Sequence, residues 1–200
     1  SCGGRAAIMM KFDQFCELPP KKIALNVPAS MIFAAGGTRR AAKLAGIDNQ
    51  QEYVSWSSLQ LIKCFELFQK YGLKQIITHA IVPTQWREET PNYREKLVNW
   101  VTGNLTSEKT IREYKKRGWR ACFIGADYIP ALKSVEETFD QYFPKSDYPL
   151  TVYYLVTPQY DSHWIELAKV LEQGWRSQEE LILAQYNEAM SPVKLYVGYG

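Results

Sequence analysis

Ser30-Met-Ile-Phe-Ala-Ala-Gly-Gly-Thr-Arg-Arg40 is the stretch from which the rest of the chain can be read. Ser30 to Ala35 is short and apolar and reads as a buried strand. Gly36-Gly37-Thr38 breaks it, and Arg39-Arg40 then opens a short helix ending near Gly46. A strand running straight into a turn and a helix is half of a βα unit, and the pattern recurs downstream.

From Gln51 to Tyr71, Trp56, Leu59, Ile62, Phe65 and Phe68 recur at roughly helical spacing, with Gly72 as the stop. Gln75–Ile81 is rich in β-branched residues and reads as a second strand. A loop with Pro83, Trp86 and Pro91 leads into helical material reaching Leu105. Ser107 is placed to N-cap a further helix, which Gly118 ends after Lys115, Lys116 and Arg117. Trp119–Ile124 reads as a third strand, and a helix from Pro130 to Tyr142 follows. Leu150–Val156 reads as a fourth strand. Ile165 to Leu171 is assigned to a helix, Ser177-Gln-Glu-Glu180 is a capping box for the next, and Val193–Val197 reads as a last strand. The alternation predicts an α/β fold: a single, mostly parallel sheet with right-handed crossovers and helices on both faces.

With no repeat, linker or low-complexity tract, residues 1–200 read as one domain, and residues 1–10 as a tag or flexible segment. A content of 46% hydrophobic and 22% charged residues leaves little room for long disorder. The 14% aromatic content suits a core and could also line an apolar ligand pocket. A net charge of +3 is too mild to argue for nucleic acid, and Lys115-Lys116-Arg117 reads as a solvated helix end. Cys2, Cys16, Cys64 and Cys122 form no CxxC pair, and His79 and His163 are the only histidines, so no metal ligand set is assigned. The same cysteine usage fits a reducing, cytoplasmic setting. No apolar run approaches 18 residues, so no transmembrane segment is expected, and no signal-peptide pattern is present.

The chemistry is expected at the carboxyl edge of the sheet, where ligands of such folds collect. Gly36 and Gly37 let backbone approach a ligand closely, amides at a helix start attract anions, and Arg39 and Arg40 carry forked donors suited to phosphate. Gly36, Gly37, Thr38, Arg39 and Arg40 are therefore the candidate diphosphate-binding residues. Read from the residues alone, the same stretch is also a tight turn before a solvated helix start.

Several segments together resemble the cis-prenyltransferase family. The strand running into Gly36-Gly-Thr-Arg-Arg40 is similar to the family's Asp-Gly-Asn-Arg-Arg-Trp turn, most of all to the Asp-Gly-Thr-Arg-Arg of its tuberculosinol-synthase branch. His79-Ala-Ile-Val-Pro-Thr-Gln-Trp-Arg87 resembles the family's Tyr-Ala-Phe-Ser-x-Glu-Asn-Trp-x-Arg, with Gln85 and Trp86 in the Asn-Trp places. Ile124-Gly125-Ala-Asp127 with Pro130 and Leu132 resembles Ile-Gly-Asp before a Leu-Pro helix. Leu150-Thr-Val-Tyr is similar to Leu-Thr-Leu-Asn, and Pro192 to Gly200 to the strand before the diphosphate loop.

The resemblance implies an enzyme that ionises an allylic isoprenoid diphosphate, for terpene synthesis or prenyl transfer, with an elongated apolar pocket beside the diphosphate site. It implies Arg39, Arg40 and Tyr53 as catalytic residues, and His79, Gln85, Trp86 and Arg87 as substrate-pocket residues. Tyr53 would stabilise or quench a cation; as a residue alone, it is equally a helix-start aromatic. His79 is either a core histidine or a general base, and Asp127 either a loop cap or an acid. The family also implies Mg2+, a dimer with itself or with a homologous subunit, and a cytoplasmic place at the membrane periphery.

Three departures stand against the pattern. Gly36 replaces the aspartate that organises Mg2+, so the metal is left open. Ala41 replaces the tryptophan after the arginines, and the sequence stops before the Arg-x-Ser loop. These departures also admit a non-catalytic subunit or an isoprenoid diphosphate-binding protein.

Overall fold

The computed structural model describes residues 14–15, 17–159 and 195–199. Five strands lie in one sheet: β1 (Ser30–Ala35), β2 (Gln75–Ile81), β3 (Trp119–Ile124), β4 (Leu150–Val156) and β5 (Leu195–Tyr199). Their order is β3-β4-β2-β1-β5. Every neighbouring pair is parallel. The helices are α1 (Pro20–Ala24), α2 (Thr38–Leu44), α3 (Gln50–Lys70), α4 (Pro83–Trp86), α5 (Tyr93–Leu105), α6 (Glu108–Arg117) and α7 (Lys133–Tyr142). Among the described residues no helix is long and apolar enough to cross a membrane.

Local chemistry fixes the ends of the helices that matter most. At the start of α3 the Asn49 side chain accepts the Glu52 N–H at 2.8 Å. At the start of α6 Ser107 accepts the Thr110 N–H at 3.2 Å. Gly118, at φ 66°, ends α6 after three basic residues that suit its negative pole.

Side chains alternate across the sheet. Met31 and Phe33, Ile76 and Ala80, Ala121 and Phe123, and Val152 and Tyr154 face one side. They form the main core with Ile62 and Phe65 of α3, Leu97 and Val101 of α5, Ile111 and Tyr114 of α6, and Val135 and Phe139 of α7. Ile77, Cys122, Tyr153 and Leu155 make a second buried cluster on the other side, with Ile32 and Ile124 packed against it. Burial on both faces is what a wholly parallel sheet requires.

Four details differ from the sequence expectations. Residues 83–86, expected as loop, form a helical turn: Pro83 presets its first φ, and the Gln85 side chain accepts the Val82 N–H at 3.1 Å. The stretch from Pro130 begins as a 3-10 turn, Pro130–Leu132, and becomes α-helical only at Lys133. The last strand continues to Tyr199, because Gly198 and Tyr199 pair in register with Ala34 and Ala35. His79 is exposed rather than buried, although Ile77 on the same face is covered, and it sits beside a register shift between His79 and Ile81. The helices expected at 165–171 and after Ser177 lie outside the described residues.

One polar pair sits inside the main core. The Tyr114 and Tyr154 hydroxyls lie 2.6 Å apart, and the Tyr114 ring meets Trp119 edge-on at 5.6 Å. Burial disfavours both phenolates. It pushes Tyr154 up to about 12 and Tyr114 well above the ordinary tyrosine range. An unfolded tyrosine ionises near pH 10, so the stability these groups contribute is complete below pH 10 and is lost as pH rises towards the folded values. Tyr154→Phe is expected to cost about 1 kcal/mol at neutral pH and to make the loss of stability above pH 10 less steep. Urea unfolding from pH 7 to pH 11.5 checks this; an unchanged pH dependence would contradict it.

Candidate active site

β1 lies between β2 and β5, and the three parallel strands deliver their carboxyl ends to one edge. There the chain turns sharply. The Gly36 N–H donates to Ala34 O at 3.0 Å, and Gly37 caps α2 at φ 63°, a left-handed conformation that glycine adopts without a Cβ penalty. No side chain caps the first turn of α2.

The residues after the turn are held from two sides. The hydroxyls of Thr38 and Tyr53 are hydrogen-bonded at 2.8 Å, tying the start of α2 to the first turn of α3. Arg39 Nη2 donates to the Tyr93 hydroxyl at 3.4 Å, reaching the first residue of α5. That tyrosine is the largest influence holding the Arg39 pKa above its ordinary value, against burial, with Tyr53 adding to it. Arg40 is exposed and has no hydrogen-bond or ion-pair partner among the described residues. The result is an Arg39 guanidinium oriented beside two tyrosine hydroxyls, followed in the chain by an exposed Arg40. Such an arrangement suits an anion with several oxygens.

A second wall is built from residues 82–94. Gln85 is spent on the Val82 N–H, so its side chain serves the backbone of α4. Trp86 is half-buried against the main core, and Arg94 lies over its ring at 5.4 Å while donating Nε–H to Trp86 O at 2.6 Å. Glu88 accepts from the Thr90 N–H and hydroxyl at 3.3 and 2.8 Å. Those bonds hold its carboxyl below the usual range, and the Arg39 charge adds a smaller pull in the same direction.

The structure therefore brings together Thr38, Arg39, Tyr53 and, beyond the sequence reading, Tyr93. No spacing rule marked Tyr93; the signal available was an aromatic directly after Pro91-Asn92, at the start of a helix. His79 is exposed on β2 rather than buried in the core. Arg87 is exposed. Asp127 is exposed and paired to Lys133 at 2.6 Å, with Lys133 also bound to Glu136 at 2.8 Å, which fits a surface role near the start of α7 rather than an acid in a cleft.

One small space borders the inner face of α3. Between α3, α5, α6 and β4 lies a cavity of about 20 Å³, bordered by Ser58, Leu61, Phe65, Asn104, Tyr114 and Tyr154. That is room for about one water. Ser58 donates to Asn104 Oδ1 at 2.6 Å and bridges α3 and α5. Nor do the described residues fit the family's Mg2+ site. Gly36 offers no carboxylate, and among the described residues no three His, Cys, Asp or Glu side chains cluster to hold a metal ion.

No protein-family model matches the chain. A curated relative, the (+)-kolavelool synthase of Herpetosiphon aurantiacus, is 31% identical over 188 residues. The alignment covers 94% of this chain, which spans 65% of that relative's length. Among solved structures, the lavandulyl diphosphate synthase of Lavandula x intermedia, in complex with dimethylallyl diphosphate, superposes with a TM-score of 0.61 at 14% identity. That superposition covers 82% of this chain and 72% of the other. A probable undecaprenyl diphosphate synthase from Campylobacter jejuni gives a TM-score of 0.53 at 15% identity, covering 82% and 71%. Both superpositions cover most of the described fold. In sequence the chain is similar to a kolavelool synthase, and in fold it is similar to these two diphosphate synthases.

Proposed function

We propose that this chain binds an allylic prenyl diphosphate at the Arg39–Arg40 turn and ionises it, as a terpene synthase or prenyl-transferring enzyme. One observation carries the reading: consecutive arginines just past the carboxyl end of β1, Arg39 held by Tyr93 and Arg40 exposed without a partner among the described residues. The similarity to a kolavelool synthase supports it, as does a structural neighbour holding dimethylallyl diphosphate.

In the proposed reaction the allylic C–O bond breaks and its electron pair leaves with the diphosphate. Charge gathers on the departing oxygens, where Arg39 and Arg40 stabilise it. The allylic cation is then quenched by water, by loss of a proton or by a prenyl acceptor. Tyr53, bound to Thr38 beside the turn, presents a ring and a hydroxyl to the cation end. The tail runs down the inner side of α3: Ser58 lies five residues, roughly 7.5 Å, beyond Tyr53 along that helix. No step is assigned to a metal, because the described residues do not fit one.

Gly36 in the aspartate's place favours a second reading, a subunit that binds the diphosphate and leaves chemistry to a homologous partner. The two separate by turnover of the purified chain.

Arg39→Ala/Arg40→Ala is expected to lower diphosphate release from geranylgeranyl diphosphate roughly 100-fold, on the scale of losing charge-assisted bonds to a leaving group. Phosphate-release assays with product mass spectrometry check it. Unchanged release in the double variant would remove the assigned site, whereas binding without release in the parent chain would establish the subunit reading. Leu61→Trp, which fills the cavity, is expected to slow geranylgeranyl diphosphate turnover about tenfold more than that of geranyl diphosphate. Equal effects on the two substrates would place the tail elsewhere.

A further inference from the structure

We propose that Arg94 is a positioning residue of this site: its clamp on Trp86 fixes the start of α5, and so fixes the Tyr93 hydroxyl that orients Arg39. This rests on the diphosphate reading above. Arg94 touches neither the arginine turn nor the expected substrate; it acts through its neighbour.

The clamp has two parts on one residue. Arg94 Nε–H reaches the Trp86 carbonyl at 2.6 Å, at the last residue of α4, and the guanidinium covers the Trp86 ring at 5.4 Å. Cation and ring within about 6 Å attract, and the planar guanidinium can stack where an ammonium cannot. Trp86 is itself packed against the main core, so the clamp has a firm base. It joins the end of one helix to the first turn of the next and makes residues 87–93 a closed loop.

That loop carries strain. Asn92 has φ 60°, the only positive φ outside glycine among the described residues, and sits directly before Tyr93. A non-glycine residue in the left-handed region, even an asparagine, persists where its surroundings hold it there. The surroundings here are the Arg94 clamp, the Tyr93 N–H to Thr90 O bond at 3.0 Å, and the Glu88–Thr90 bonds. Releasing the clamp gives Asn92 freedom to relax and swings the residue after it.

The nature of the tether explains its value. A carboxylate against Arg39 would orient the guanidinium but also neutralise it and compete with an incoming diphosphate. The Tyr93 hydroxyl is a neutral acceptor, so it orients the side chain while leaving the full positive charge for the ligand. At 3.4 Å the bond is long, so what it supplies is direction, in a side chain that otherwise loses considerable rotamer freedom on binding. The nearby carboxylate, Glu88, is occupied by Thr90.

The test is titration of the full chain with inorganic pyrophosphate, followed calorimetrically at fixed ionic strength, with thermal unfolding of each variant alongside. Arg39→Ala is expected to weaken binding at least tenfold. Arg94→Met keeps the aliphatic stem and removes the clamp; it is expected to weaken binding about three- to tenfold with little change in unfolding temperature. Arg94→Lys keeps the charge but cannot form both contacts, so it should behave like Arg94→Met. In a Tyr93→Phe background the Arg94 variants should have no further effect.

Wild-type affinity in Arg94→Lys would mean that charge alone matters and would overturn the positioning role. So would an Arg94→Met effect of full size in the Tyr93→Phe background, or no effect at all. If Arg39→Ala itself binds pyrophosphate normally, the diphosphate reading fails and the positioning role falls with it. If Arg39→Ala binds weakly while the Arg94 variants bind normally, only the positioning role is overturned.

Discussion

The hydrogen-bond register of β1 decides where the chemistry of this protein can be. β1 is paired on one side with β2, through Ser30–Gln75 to Ile32–Ile77, and on the other with β5, through Met31–Leu195 to Ala35–Tyr199. Both pairings are parallel, so the strand cannot end anywhere except between two other carboxyl ends. The glycines that follow then turn the chain at the one edge where loops from several strands meet. Moving the register by one residue would place Phe33 on the other face, take it away from Phe65 and Phe68, and carry the arginines with it.

The helices make that edge specific. α3 brings Tyr53 to Thr38 and α5 brings Tyr93 to Arg39, so the turn is held from two directions by hydroxyl groups and by no carboxylate. Farther down, the same two helices are bridged by Ser58 and Asn104 over a cavity of about 20 Å³. The space between those helices holds about one water, as packed interiors allow.

Much of this was legible in the sequence, for identifiable reasons. β1, β2, β3 and β4 have the bounds that their apolar runs predicted, because strands buried on both faces show as short continuous apolar segments. Ser107 and Gly118 bound α6 because capping is local chemistry. The arginine turn was legible because a glycine pair between a strand and a helix is a local signal. The contacts that give it meaning were not. Tyr93 lies 54 residues from Arg39, and Asn104 lies 46 from Ser58, and no periodicity links such pairs. Of the two readings open for His79, its exposure removes the core histidine, which strand position alone could not decide. Gln85 has the right place in the motif, yet its side chain is taken by the Val82 N–H, a competition that only the fold reveals.

Gly36 is the residue that most separates this chain from the pattern it otherwise follows. With no carboxylate at the end of β1, the positive charge of Arg39 and Arg40 is left uncompensated by the turn itself. The most direct measurement is a crystal structure of the full chain with a geranylgeranyl thiolodiphosphate, whose sulfur bridge resists ionisation. The account predicts diphosphate oxygens within hydrogen-bond reach of Arg39 and Arg40, with the tail between α3 and α5 beneath Tyr53. A diphosphate bound away from the turn, or a tail lying outside those two helices, would contradict it.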